Sequence, residues 1–259
     1  MKQFRTVLIT GASSGIGAAL AQYYAGGGIT LYLTGRDEER LTAVADLCRL
    51  RGARVETCLI DVRDQVALTQ WLGEADERSP IDLVIANAGI SGGTGDQDLS
   101  WLAGERAIFE VNLMGTLNTI LPLIPRMIPR RQGQIALVSS LASFNGWPGA
   151  PAYSASKAGV RMYGEALRGS LARYGIGVSV ICPGFINSPM TAVNGYRMPL
   201  LMPVDRAAQI MALGLSKNKA RITFPWPTAL VSMTLGLLPP AFAAFLLALL
   251  PAKPVLPGD

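Results

Sequence analysis

The chain has no histidine among its 259 residues. That absence removes Ser-His-Asp and Cys-His nucleophile activation, imidazole ligation of metals and imidazole-based pH switching. Any general acid or base must be Tyr, Lys, Asp, Glu or Cys. Cysteine is almost as scarce. Cys48, Cys58 and Cys182 are widely spaced and contain no Cys-x-x-Cys pair, which argues against a disulfide framework or a thiolate zinc site and for buried thiols in a reducing compartment. Charged residues make up only 16% of the chain against 50% hydrophobic ones, so a disordered chain is excluded and a large core is affordable. The formal charge is +5 and the sequence pI about 9.3, yet apart from Arg126, Arg130 and Arg131 the basic residues are scattered. Scattered charge is a solvated face rather than a nucleic-acid site. Residues 1–10 bring charges close to a short apolar run and lead straight into a glycine-rich turn, which reads as a first strand rather than a signal peptide.

What is present alternates. Short runs rich in Val, Ile and Leu occur at 6–10, 29–34, 54–60, 82–87, 134–139 and 177–182. Between them lie helix-length stretches near 16–24, 38–51, 65–77, 102–126 and 152–174, with another near 205–217. Continuous apolar strands separated by helices imply parallel strands covered on both faces. The expected fold is therefore α/β: a doubly wound parallel sheet in a Rossmann-type three-layer αβα sandwich. No linker or repeat divides residues 1–220, which read as one domain, and residues 221–259 read as an apolar extension that begins with the last strand.

Two motifs carry chemistry. The first strand runs into Thr10-Gly11-Ala12-Ser13-Ser14-Gly15-Ile16-Gly17 and then a helix. Gly11 permits the tight turn, Gly15 lets backbone approach a pyrophosphate, and Gly17 lets helix and strand pack closely. Free N–H groups at the helix start favour phosphate. The second motif is Tyr153-Ser154-Ala155-Ser156-Lys157, in which phenol and ammonium lie one helical turn apart. An ammonium beside a phenol favours phenolate and so suits proton exchange near neutral pH.

The order and spacing of these motifs resemble the short-chain dehydrogenase/reductase family in its single-domain form, over residues 4–190. The resemblance implies a nicotinamide cofactor and gives roles to further positions. Asp61-Val62 is similar to the family's adenine-contacting pair, and Asn87-Ala88-Gly89 to its segment after the fourth strand. Pro183-Gly184, Ile186, Ser188 and Met190 resemble the stretch that grips the nicotinamide end. Ser140, thirteen residues before Tyr153, stands where the family holds the substrate oxygen. Ser139 is its neighbour and competitor, and strand alternation turns it the other way. Asn112 resembles the asparagine that orients the lysine through water. The implied mechanism has hydride reaching a carbonyl carbon, Tyr153 donating the proton, Ser140 polarising the oxygen, Lys157 binding the ribose and lowering the tyrosine pKa, and Asn112 completing a relay.

At the end of the second strand the chain reads Thr34-Gly35-Arg36, with Gly35 where NAD-selective relatives carry Asp. Arg36 can pair with a 2′-phosphate, and Ser13 offers a second contact, so NADP(H) is expected over NAD(H). The alternative for Arg36 is a surface pair with Asp37 or Glu39.

Substrate choice is expected from loops 91–100, 141–151 and 187–203. They carry Phe144, Trp147, Pro148, Met190, Tyr196, Met198, Leu200, Leu201 and Met202, which suit a hydrophobic carbonyl or secondary alcohol. From Ile222 to Ala252 there is no charged residue, and Pro239-Pro240 cuts the run into two pieces. Each piece falls short of the roughly 20 residues of a spanning helix. The run can lie on a membrane surface, cap the site or pack on another subunit. The expectation is a cytoplasmic homodimer or homotetramer, peripheral on the inner membrane face if residues 222–252 bind lipid. The alternatives are a 3-oxoacyl thioester reductase and a catalytically silent nucleotide-binding regulator.

Overall fold

The computed structural model describes residues 2–95, 101–249 and 253–255. The end of the expected substrate loop 91–100 and parts of the apolar extension lie outside the described residues.

Seven strands form one parallel sheet. They are β1 (Thr6–Ile9), β2 (Thr30–Gly35), β3 (Arg54–Leu59), β4 (Leu83–Ala86), β5 (Gln134–Val138), β6 (Gly177–Pro183) and β7 (Arg221–Phe224), in the order β3-β2-β1-β4-β5-β6-β7. The order reverses at β1, whose carboxyl end leads into the glycine turn. That reversal is where open α/β sheets leave a crevice for ligands. Because successive strand side chains point to opposite faces, β1 supplies Val7 and Ile9 to one core and Leu8 to the other. β2 repeats the division, with Leu31 and Leu33 opposed by Tyr32. Val7, Leu8 and Ile9 are fully buried, and each such side chain contributes about 1.5–3 kcal/mol.

One face is covered by α1 (Gly15–Tyr24), α2 (Glu38–Leu50) and α9 (Val204–Ser216), which bury Leu20, Leu41, Cys48 and Met211 among others. The opposite face is covered by α3 (Gln65–Arg78), by the run from α4 to α6, and by α7 (Pro151–Ala172). Asp37 and Asp64 cap α2 and α3 by accepting hydrogen bonds from Arg40 N and Ala67 N at 2.9 and 3.0 Å.

The helix expected over 102–126 is divided. α4 (Leu102–Phe109) passes through a π-helical turn at Glu110–Met114 into α5 (Gly115–Ile120), and α6 (Ile124–Arg130) starts after a turn. Pro122 lies in that turn, where it has no N–H to continue the i→i−4 ladder. The π turn carries Asn112. After β6 come a single short turn, α8 (Pro189–Ala192), then α9 and β7. β7 pairs with β6, so the sheet continues into the extension. α10 (Trp226–Leu235) and α11 (Pro240–Ala248) are separated at Pro239.

Cys48 and Cys182 are buried, but Cys58 is only half-buried. It sits on β3, an edge strand with a neighbour on one side only, so the expectation of three buried thiols is corrected there.

Candidate active site

The carboxyl edge of the sheet opens into a cavity of about 870 Å³, within the usual range for ligand sites. Its nucleotide-like end is built by backbone. Gly11 and Gly15 have φ of 67° and 53°, where a side chain is strained. A Cβ on Gly11 would also come within 2.8 Å of Ala88 Cα, and one on Gly17 would overlap the Gly11 carbonyl oxygen. The turn is tied to β4: Asn87 Nδ2 donates to Thr10 O and Gly11 O at 3.0 and 3.2 Å, and Thr10 Oγ1 accepts from Asn87 N and Ala88 N. Ser14 precedes α1 without a side-chain cap, and no acidic residue occupies the first turn. The helix therefore presents uncompensated N–H groups to the cavity, a cradle suited to phosphate.

Beside this cradle, Gly35 packs so closely that a Cβ would stand 3.0 Å from Ser13 Cβ. Arg36 and Arg40 line the same end. Arg36 approaches Asp61 at 3.7 Å rather than Asp37 or Glu39, while Asp37 pairs with Arg40 at 3.0 Å. Burial works to raise the Asp61 carboxyl, but the hydrogen bonds and charge of Arg63, with the charge of Arg36, hold it below its ordinary value.

The chemical end gathers side chains from β5, α7 and the π turn. Tyr153 and Lys157 are 9% and 4% exposed. Burial raises the Tyr153 phenol above its ordinary value, opposed by a side-chain hydrogen bond with Ser140. Desolvation disfavours phenolate, and the Lys157 ammonium is itself pushed down to about 8 by burial. Its Nζ donates to Val138 O at 3.0 Å. Ser140 Oγ also accepts from Ala142 N at 3.1 Å, capping a short 3-10 turn. Ser139 points away and donates to Lys157 O at 2.7 Å, a structural role in keeping with strand alternation.

Asn112 is fully buried. Its Oδ1 accepts from Ile90 N at 2.8 Å, and its Nδ2 donates to Ile90 O and Ser156 Oγ at 3.0 and 3.1 Å. π turns recur where a helix must aim a functional side chain, and a Cβ on Gly89 would lie 3.0 Å from Asn112 Oδ1 and 3.2 Å from Lys157 Nζ. Asn112 and Lys157 thus meet across Gly89.

A short chain dehydrogenase family model matches residues 5–197. The chain belongs to the short chain dehydrogenase family. An uncharacterized oxidoreductase of Myxococcus xanthus is 38% identical over 243 residues, spanning 93% of this chain and 96% of that protein. Among solved structures, the short-chain dehydrogenase from Sphingobium yanoikuyae in complex with NADPH superposes with a TM-score of 0.77 at 29% identity, covering 90% of this chain and 94% of its own. A 3-oxoacyl-[acyl-carrier protein] reductase with bound NAD from Brucella melitensis gives 0.71 at 29% identity, covering 85% and 87%. As a member of this family the protein is an oxidoreductase that uses a nicotinamide cofactor on small-molecule alcohols and carbonyls.

The short chain dehydrogenase signature residues converge as a set. Of the residues singled out from the sequence, Gly17 and Asn112 stand behind the cavity wall, and Gly11, Ser13, Ser14, Gly15, Ile16, Arg36, Asp61, Val62, Asn87, Ala88, Gly89, Ser140, Tyr153, Lys157, Pro183, Gly184, Ile186 and Ser188 line it. The loop expectation is only partly met. Trp147, Met190 and Tyr196 line the cavity, but Phe144, Pro148, Met198, Leu200, Leu201 and Met202 do not. Phe144 lies under the guanidinium groups of Arg161 and Arg221, at 4.6 and 5.4 Å from its ring centroid, and Met202 packs on the sheet core beside Ile186. Apolar lining comes instead from Leu141 and from Pro227, Val231, Leu235 and Leu247 of the extension. Arg40 and Lys253 also reach the cavity. Arg40 had a legible signal, a second arginine one helical turn after Arg36. Lys253 had none.

Proposed function

We propose that the protein is an NADP(H)-dependent reductase and dehydrogenase of hydrophobic ketones and secondary alcohols. The observation that carries this reading is the meeting of Ser140, Tyr153 and Lys157 in one cavity with the glycine cradle. The residues fit a dinucleotide: the cradle has room only for glycine at Gly11 and Gly17, and the start of α1 is left open for phosphate. Arg36, Arg40 and Ser13 would hold a 2′-phosphate, with Gly35 removing the carboxylate that would repel it. A bound nicotinamide supplies hydride to the carbonyl carbon, or accepts it in the reverse direction.

The protein's own part is positioning and proton transfer. Ser140 Oγ donates to the carbonyl oxygen and, with the phenol, fixes its place. Tyr153 Oη gives the oxygen its proton as negative charge develops there. Lys157 places positive charge behind the phenol, which favours the tyrosinate left after transfer, and Asn112 holds the backbone of Ile90 and the helix bearing Lys157 in register. Leu141, Met190, Val231 and Leu247 line the substrate end, favouring an apolar substrate body. The likeness to the Brucella melitensis 3-oxoacyl-[acyl-carrier protein] reductase supports an acyl-thioester ketone as the second reading. In the same reading the protein is a homo-oligomer, with the outer face of α10 and α11 covered by a second copy.

Fluorescence titration with NADPH and NADH, followed by turnover of a panel of hydrophobic ketones, acyl thioesters and quinones, tests the reading. NADPH is expected to bind at least about tenfold tighter than NADH. A tenfold preference for NADH removes the cofactor assignment, and failure to bind either removes the whole reading.

A further inference from the structure

Residues Lys253, Pro254 and Val255 cross the substrate end of the cavity as a strap. Pro254 O accepts from Gly93 N at 2.8 Å, Lys253 O from Gly95 N at 3.0 Å, and Lys253 N donates to Gly149 O at 3.3 Å. Two glycines are fitted to it. A Cβ on Gly93 would overlap the Lys253 side chain and lie 2.6 Å from its carbonyl oxygen, and one on Gly95 would lie 2.7 Å from Val255 Cγ2. The strap carries the Lys253 ammonium inward, where it is 8% exposed, donates to Ser91 Oγ at 2.6 Å and stands 4.1 Å from the Tyr153 ring centroid.

Among the described residues no carboxylate pairs with Lys253. An ammonium has three donors, and Ser91 takes one of them. A buried charge is costly unless it is paired. Two further buried groups nearby, Trp147 Nε1 and Tyr196 Oη, have no hydrogen-bond partner among the described residues, and their rings meet edge to face at 6.3 Å. Trp147 also lies under Lys253, with Nζ 5.6 Å from its centroid. The cavity's charge is divided in the same sense. Its carboxylates among the described residues, Asp37 and Asp61, are at the nucleotide-like end beside Arg40 and Arg63, while the substrate end has Lys157 and Lys253. Burial and the charge of Lys157 push the Lys253 ammonium down to about 8, and an anion between the two lysines relieves both effects.

We propose that Lys253, with the donors of Trp147 and Tyr196, forms a carboxylate subsite, so that the substrate is an amphipathic keto acid or hydroxy acid. This rests on the reductase reading of Tyr153 and Ser140, and it adds the charge of the substrate to that reading. The carboxylate is a handle: hydride and proton add across the ketone, and the acid group neither gains nor loses electrons.

The test compares medium-chain keto acids, the carboxylate two, three or four carbons from the ketone, with their methyl esters as substrates with NADPH. The unaltered protein is expected to favour one acid over its ester by about thirtyfold in kcat/KM, and Lys253→Met to bring that ratio near one. Gly93→Val leaves the three donors in the sequence but displaces the strap, and is expected to abolish the same preference. Lys253→Arg is expected to retain it in part. Calorimetric titration of decanoate, which cannot be reduced, into the protein saturated with NADP⁺ should show binding that Lys253→Met loses. Equal turnover of acid and ester by the unaltered protein, or an acid preference that survives Lys253→Met, overturns the subsite and leaves the reductase reading standing. Absence of both NADPH binding and turnover overturns the reductase reading, and the subsite with it.

Discussion

The two ends of the cavity are built by opposite means. At the glycine cradle the working surface is backbone, and the sequence acts by omission: a side chain on Gly11 or Gly17 would collide with Ala88 or with the Gly11 carbonyl. At the substrate end the working surface is side chains brought from distant parts of the chain, Trp147 and Tyr196 from loops, Leu247 from α11 and Lys253 from the strap. Backbone reads the part of a ligand common to every dinucleotide, whereas side chains read what differs between substrates. Changes at the first end should therefore damage fold and cofactor binding together, and changes at the second should alter selectivity alone.

The largest expected effect falls where the two ends meet. Tyr153→Phe removes the proton donor without touching the cradle and should lower kcat by about a thousandfold, with NADPH affinity by fluorescence titration unchanged. Retention of more than about a tenth of kcat would dissolve the division between binding and chemistry. Gly17→Ala comes next. Its methyl would meet the Gly11 carbonyl and Asn87 Nδ2, so urea denaturation should show a loss of about 2 kcal/mol, accompanied by weak binding of both nucleotides. Arg36→Ala should be gentler, weakening NADPH by about tenfold and leaving NADH unchanged. That result would make selectivity a side-chain property even at the backbone end.

Much of the first end was legible, and its physical reason is locality. The glycine turn and the tyrosine-lysine pair each lie within one turn or one helix, so spacing determines geometry. The strand-alternation argument separated Ser140 from Ser139 for the same reason. The division of the 102–130 helix was less accessible, because Pro122 is visible in the sequence but the π turn that aims Asn112 is a choice between two ladders of similar energy. Lys253 was legible as a flank of the apolar run but not as a residue of the cavity. Its partners Ser91, Trp147 and Tyr153 are a hundred or more residues away in the chain, and only closure of the strap brings them together. Phe144 misled for a related reason: an aromatic residue in a substrate loop was expected in the lining, but two arginines hold it elsewhere.

The two buried lysines give a pH test that involves no substrate. Lys157 and Lys253 are each pushed down to about 8 by burial, while in the unfolded chain both titrate near about 10.4. Between these values the unfolded state binds more protons than the folded one, so stability should rise with pH, by about 1 kcal/mol per lysine between pH 8 and pH 9. Below pH 8 both states are protonated and the gain is absent. Lys253→Met should flatten roughly half of the rise in urea midpoint over that interval. A slope unchanged in Lys253→Met would mean that the strap is not seated in the free protein.

The smallest effect on chemistry is expected from the outer face of α10, α11 and the residues that join and follow them, although it is the most exposed apolar surface of the extension. Trp226 and Leu237 are 75% and 85% exposed, and Phe242, Phe245 and Leu249 stand out with them. The inner face of the same helices lines the cavity through Val231, Leu235 and Leu247, so the two faces can be altered separately. An apolar surface of this kind favours contact with another apolar surface. A double variant, Leu237→Glu with Phe245→Glu, should shift sedimentation velocity toward smaller species while turnover of a small ketone stays within about twofold. Flotation with anionic vesicles is the control. Vesicle binding by the unaltered protein that the variant loses, with no change in sedimentation, would assign the face to a membrane surface instead of a second copy. Loss of turnover in step with either change would mean that this face must be covered for the cavity to hold its shape, and the separation of the two faces would fail.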